Sequence, residues 1–487
     1  MVSEQPYFLT PAGIEESSET IQMKAPLSSD ARKLELIKII WSNKLFRNLD
    51  VLLALYKSRR YKRGGRYVFL ETQTQTVHSF DVNTRATMLL QSLLSLSFAT
   101  FLVRANNGGS DDFYNSNSLE RTRVNGLNDT TLAKVRTRML ELVHYSWELG
   151  TASEALLELE ESDLSVYGDK PFPPSRTLSA DSPIISIAEY VLSIKPPGTL
   201  PLMEDGAAGD PASVGVAVLL ANQTFANASY ALAASQEIQF LLEVVPRAPN
   251  GAISHRVSEA QLWDDFVYMG PLYLAYYGAL FHNITLLQEA KRQIGLYREI
   301  LRDPQTSLWH HVLLGSWSDP ALWGTGMAWV AAGSTRVLQT MLKSPFAVQL
   351  QGDMWEISGW VGELLGAAWG YQKRQGEFRG GLYNLPTEND FPDSAWTALL
   401  AAATYRLAVQ TGNKQWIPNA NKAFAYIQRQ IASDGTLLNV TDVFQWKQAG
   451  INSPEGQAFV LLLQAAHRDY TKWEECHAPP TLFTIWG

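Results

Sequence analysis

Between about residues 130 and 470, apolar side chains return every three to four positions in one segment after another, and this period decides what the chain folds into. The segments lie around 132–159, 183–195, 212–222, 228–245, 261–281, 284–301, 326–343, 355–373, 393–411, 415–432 and 455–470. Such spacing lines one face of an α-helix. Gly, Pro, Asn and Asp gather in the gaps, where they stop helices and make turns. Convincing strand-type alternation does not appear, so the expectation is an all-α fold of about eleven helices joined by short and medium loops. Helical hairpins bury their apolar stripes by stacking into a superhelix or by closing into a ring. No strict sequence period of the kind a regular solenoid requires is visible, and a closed ring of about six hairpins fits the helix number.

Composition narrows the function. The 487 residues suit one large helical toroid or two to three ordinary domains. With 46% hydrophobic and 18% charged residues the chain reads as globular. Its net charge of −8 comes with a basic amino-terminal stretch and an acidic remainder. An acidic body lacks the clustered Lys and Arg that nucleic-acid phosphates demand. The one basic run, Lys57, Arg59, Arg60, Lys62, Arg63 and Arg66, lies outside the motif-bearing part and reads as a solvated tail. A single cysteine, Cys476, allows no intrachain disulfide. No HExxH or CxxC spacing calls for a metal. Fifteen Trp and nineteen Tyr suit a pocket that stacks sugar rings, although large aromatics also fill large cores.

Residues 1–87 are polar and irregular, with a short helical pattern around Leu34–Leu55. They form an expected amino-terminal extension to a helical body spanning 106–487. Between the two lies an apolar run, 88–105. It is too short and too rich in Ser for a stable membrane span, and it has the length of a signal-peptide core ending on Ala105. Three readings stand: translation starting at Met88, an internal signal-anchor, or an ordinary buried helix. Sequons at Asn128, Asn222, Asn227, Asn283 and Asn439 accord with a secreted glycoprotein.

Two clusters carry chemistry. Gly251-Ala-Ile-Ser-His-Arg256 leads to Gln261-Leu-Trp-Asp-Asp-Phe-Val-Tyr-Met269, which sets paired carboxylates beside aromatics at the mouth of a helix. Asp264 or Asp265 serves there either as a helix cap or as a carboxyl whose neutral form is favoured by burial, the state of a general acid. Adjacent helical residues point about 100° apart, so only one of the two faces a cleft squarely. In the second cluster, Leu322-Trp-Gly-Thr-Gly-Met-Ala-Trp329, glycines between two tryptophans allow close approach to a ligand or simply plug a helix start. It matches no phosphate-binding loop.

Together with Ser146-Trp-Glu-Leu-Gly-Thr151, Asp205-Gly-Ala-Ala-Gly-Asp210, Leu308-Trp-His-His311 and Ser453-Pro-Glu-Gly-Gln457, these stretches resemble glycoside hydrolase families 88 and 105, most closely the fungal branch of family 105. The resemblance runs in consistent order over about residues 130–475. It implies an (α/α)6 barrel, a six-hairpin toroid, with its active site at one end. It also implies hydration of the C4=C5 double bond of unsaturated uronyl oligosaccharides derived from pectin, with no cofactor, no metal, no nucleic-acid partner and no stable membrane span. Asp265 falls on the family's acid/base aspartate, the third residue of Trp-x-Asp, whereas Asp264 falls where the family has a non-acidic residue. Asp210 matches a second pocket aspartate, His255 and His311 match pocket histidines, and Trp323 and Trp329 match the flanking tryptophans. Two positions depart from the pattern: Thr325 replaces an arginine common in bacterial members, and Met327 replaces an asparagine. Met327 therefore keeps open a second reading, a six-hairpin protein that has lost hydrolysis or turned to another small molecule.

Overall fold

The computed structural model describes residues 124–388 and 390–477. The amino-terminal extension 1–87 and the apolar run 88–105 lie outside the described residues. Within the described part, twelve helices of 11 residues or more follow one another. They are α1 (Asp129–Leu142), α2 (Ser146–Leu159), α3 (Pro183–Ile194), α4 (Gly215–Phe225), α5 (Ala228–Gln239), α6 (Phe266–Leu280), α7 (Ile284–Leu301), α8 (Gly324–Lys343), α9 (Gln351–Trp369), α10 (Ser394–Thr411), α11 (Ile417–Gln430) and α12 (Pro454–His477). The segment 132–159 reads as one helix in the sequence but forms two. Glu148 accepts the backbone N–H groups of His144 (2.6 Å) and Tyr145 (2.9 Å), so a new helix starts at Ser146 inside a continuous apolar pattern.

Even-numbered helices form an inner ring and odd-numbered helices an outer one. The inner members are buried on most sides: α8 buries a continuous run from Gly324 to Met341. The outer members show a single stripe, such as Leu286, Leu287, Ala290, Ile294, Tyr297 and Leu301 on α7. Successive inner helices pack together and α12 packs on α2, which closes the ring. This is the all-α (α/α)6 toroid. Inside it, Arg336 of α8 pairs with Glu154 and Glu158 of α2, and Arg406 of α10 pairs with Glu158 and with Asp469 of α12. Buried charges stay ionised only when paired in this way. No helix among the described residues is long and apolar enough to cross a membrane.

Three of the sequon asparagines have a structural task. Asn128, Asn227 and Asn283 cap α1, α5 and α7 by accepting from Thr131, Ser229 and Thr285 N–H groups. Capping accounts for these residues whether or not a glycan is attached.

Candidate active site

Short extended segments outside the helices assemble the site. Strand β1 (Gln261–Trp263) pairs antiparallel with β2 (Val312–Leu314), with Trp263 opposite Val312. One residue further on, the Asp264 N–H donates to the His311 carbonyl at 3.0 Å. The ladder continues sideways, since the His255 N–H donates to the Gln261 carbonyl (2.8 Å) and the Ala208 N–H to the His255 carbonyl (2.7 Å). Asp210, His255, the Asp264–Asp265 pair and His311 are thereby fixed at one end of the ring, although they are distant in sequence.

They surround a cavity of about 330 Å3 where the amino-terminal ends of the inner helices meet. Asp210, His255, Asp265, His311, Trp323 and Trp329 all line it, joined by Arg256, Asp205, Glu455 and a wall of aromatics. Helix amino termini carry partial positive charge, which favours an anionic ligand at this end of the toroid.

The adjacent carboxylates part company. Asp265 faces the cavity, whereas Asp264 turns away, is fully buried, and meets no hydrogen-bond partner at either oxygen. Burial, followed by the charge of Asp265, pushes Asp264 well above the usual carboxylate range. Its carboxyl packs on α8 at Gly326, where a Cβ would lie 2.3 Å from both oxygens. Asp265 occupies the cap position of α6 but makes no side-chain capping bond. Helix capping therefore explains the exposure of Asp265 to the cavity no better than it explains the burial of Asp264.

The remaining polar groups differ in charge. Asp210 is pushed well above its ordinary value by burial, then by Asp205 and Asp265, with Arg256 opposing. It keeps its proton at a pH where an ordinary aspartate has lost it. His255, whose Nε2 lies 3.9 Å from Asp210, is driven down to about 3 by burial and is neutral. Burial also works against the charged form of His311, but the carboxylates of Asp265 and Asp319 outweigh it and hold His311 above its usual value. Asp264, Asp265 and His311 each bring one oxygen or nitrogen to within 4.8 Å of the other two.

Thr325 and Met327 do not line the cavity. On α8, Trp323, Gly326 and Trp329 share the cavity face, which leaves the intervening positions pointing elsewhere. Thr325 donates to Asp393 at 2.7 Å, and Met327 is fully buried in the core. Sequence reasoning missed Arg256 and Glu455, although both fall inside the matched stretches. It also missed Asp319, Trp446 and Lys447, for which no sequence signal exists.

A ring of six helical hairpins with carboxylates and aromatics around a cavity at one end defines a six-hairpin glycosidase. The family model of Glycosyl Hydrolase Family 88 matches residues 204–456, and the chain belongs to that family. It is 23% identical over 242 residues to an unsaturated rhamnogalacturonyl hydrolase, YesR, of Bacillus subtilis (strain 168). The match takes in 47% of this chain and 65% of that relative, so under two thirds of the relative's length is covered. A solved structure described as a possible member of the GH105 family from Klebsiella pneumoniae superposes with a TM-score of 0.56 at 17% identity, covering 75% of this chain and all of that one. A second, from Salmonella enterica, gives 0.55 at 16%, covering 74% of this chain and all of the other. At such identities these likenesses establish the fold.

Proposed function

We propose that this glycosidase acts in the manner of family 105, hydrating the C4=C5 double bond of an unsaturated uronyl residue at the end of a pectin-derived oligosaccharide. The observation that carries the reading is the pairing, in one cavity, of Asp265 and the proton-bearing Asp210 with a cation, Arg256. The uronate carboxylate pairs with Arg256 and protonated His311, under the positive ends of the inner helices. Asp265, as the acid, delivers a proton to C4, and positive charge develops at C5 and on the ring oxygen. Water oriented by the conjugate base of Asp265 or by Asp210 adds at C5 and returns its proton to Asp265, which restores the acid. The resulting hemiketal opens and releases the remaining sugar, so the carboxyls protonate carbon rather than the leaving oxygen. The name of the Bacillus relative supports a rhamnogalacturonan-type substrate. The second reading, lost or redirected activity, rested on Met327, which lies in the core, and the cavity is lined by a cation, Arg256.

The same reading makes 106–487 the functional domain and 88–105 a secretion signal. Sequencing the amino terminus of protein recovered from the medium tests this, because cleavage after Ala105 is expected and an intact segment in the secreted chain refutes it. The activity is tested on unsaturated rhamnogalacturonan disaccharide by following loss of double-bond absorbance. Asp265→Asn should lower kcat/KM roughly 10²–10⁴-fold with unchanged circular dichroism, and Asp264→Asn should have a smaller effect. An inactive parent, or an Asp265→Asn variant that matches it, overturns the proposal.

A further inference from the structure

Asp319 faces His311 from behind, away from the substrate, and has no part in the proton transfers above. It is nearly buried, and four groups from two parts of the chain converge on it. The Trp446 indole N–H donates at 2.6 Å, the Lys447 ammonium at 2.9 Å and the Ala321 N–H at 3.3 Å, and His311 Nδ1 lies 3.4 Å away. Val312 and Asp319 exchange both backbone hydrogen bonds at 2.9 Å, so one hairpin carries His311 and Asp319 on facing arms. The other imidazole nitrogen, Nε2, is buried, without a hydrogen-bond partner, and points toward Asp265 Oδ2 at 3.6 Å. The rings of Trp323 (4.5 Å), Trp446 (4.6 Å) and Trp263 (5.3 Å) enclose the imidazole.

We infer that Asp319, clamped by Lys447 and the Trp446 indole, is a positioning residue that fixes the ring of His311 and keeps a proton on Nε2, directed at Asp265 and the incoming uronate. The inference rests on the function proposed above. A carboxylate on Nδ1 selects the form of the ring and favours its cation. The cavity holds its own comparison in His255, which is as buried as His311. Its nearest carboxyl, Asp210, lies 3.9 Å away and carries a proton, and His255 is neutral. His311 faces Asp264 and Asp265 from the turn before α6, His255 across the cavity, Asp319 on its own hairpin, and Lys447 through Asp319. Of these, Asp319 is the group that His255 has no counterpart for. Asp319 itself stays ionised, because His311, Lys447 and Trp446 outweigh its burial and hold it below the usual range. The segment that supplies Trp446 and Lys447 also places Val443 and Phe444 on the cavity wall, so one clamp ties the mouth of the cavity to the charge of its histidine.

The test compares Asp319→Asn, Asp319→Glu and Lys447→Met in the full chain. Asp319→Asn should lower kcat/KM roughly 10–100-fold, the scale of one lost charged hydrogen bond. The alkaline limb of its pH profile should move toward acid, because His311 then loses its proton earlier. Asp319→Glu should restore part of the loss, and Lys447→Met, which removes a cation from the far side of Asp319 and leaves its carboxylate to the imidazole, should move the limb by less and toward alkali. Titration of the 15N-labelled imidazoles, with His311 assigned by the signal missing in His311→Gln, reads the charge without turnover. A lower His311 titration midpoint in Asp319→Asn supports the inference even if the parent fails to act on unsaturated uronyl sugars, a failure that would count against the proposed function alone. An unmoved midpoint, or a uniform fall in kcat/KM with an unmoved limb, overturns it. Should Asp319→Asn not fold, the same midpoint measured in Lys447→Met decides, a higher value supporting the inference and an unmoved one overturning it.

Discussion

Gly326→Ala tests how tightly α8 seats the buried carboxyl of Asp264, and with it Asp265. A Cβ at this position would lie 2.3 Å from both carboxyl oxygens of Asp264, roughly 1 Å inside ordinary contact. The obstacle is rigid on both sides. Gly326 belongs to α8, and the Asp264 backbone is tied to the His311 carbonyl at 3.0 Å. Relief therefore requires the Asp264 side chain, and Asp265 beside it, to shift. Overpacking of this kind costs about 1–3 kcal/mol, which for a body of this size lowers Tm by roughly 1–4 °C. Because misplacing a reacting group by about 1 Å costs on the order of 10²-fold, kcat/KM should fall by a similar factor. Asp264→Ala opens the space, so combining it with Gly326→Ala should recover about 0.5–3 kcal/mol relative to the sum of the single changes. Gly359→Ala, where an added Cβ meets nothing within 4 Å on the exposed face of α9, is the control and should be neutral or stabilising. Chemical denaturation of the parent, the two single variants and the double variant gives the cycle. Additive energies, or a Gly326→Ala variant with parental Tm and kcat/KM, would refute the steric account.

Two further outcomes are expected. Glu455 is buried on the cavity wall, and burial raises it from 4.5 to about 8; between those values the unfolded chain has released a proton that the folded one keeps, so stability falls as pH rises. The Tm of Glu455→Gln minus that of the parent should therefore grow from about pH 4.5 to pH 8, and parallel Tm–pH curves would refute the assignment. Arg256→Met removes the cation beside the substrate carboxylate, so KM on the unsaturated disaccharide should rise roughly 10–100-fold with a smaller change in kcat; an unchanged KM would place the carboxylate elsewhere.

The toroid was legible because its signal is periodic. Twelve helices each bury a face, and the burial pattern at 3.6 residues survives in the amino-acid order even where, as at His144–Tyr145, the break between two of them does not. The carboxylate and aromatic members of the site were legible through their order along the chain, which resembles that of a known family. Thr325 and Met327 were misplaced because that resemblance fixes positions and not directions. Two residues either side of Gly326 on one helix share neither its face nor its neighbours, and they turn to Asp393 and to the core instead. Helical phase from Trp323 to Trp329 already contained that answer.

Asp319 and Lys447 stand differently. Their pairing depends on which residues face each other across the hairpin between His311 and Ala321, and on where a segment 128 residues further on crosses it. Neither leaves a period or a composition bias in the chain. Gly315, at φ 76°, turns that hairpin, and its missing Cβ makes room for Gln261, which in turn accepts the indole N–H of Trp263 at 2.8 Å. A one-residue change of register would reverse the side chains of Trp263 and His311 together. The position of the acid/base candidate, the charge of its histidine and the orientation of the stacking tryptophan therefore depend on one short ladder of backbone hydrogen bonds, held at the end of a ring whose helices carry most of the burial.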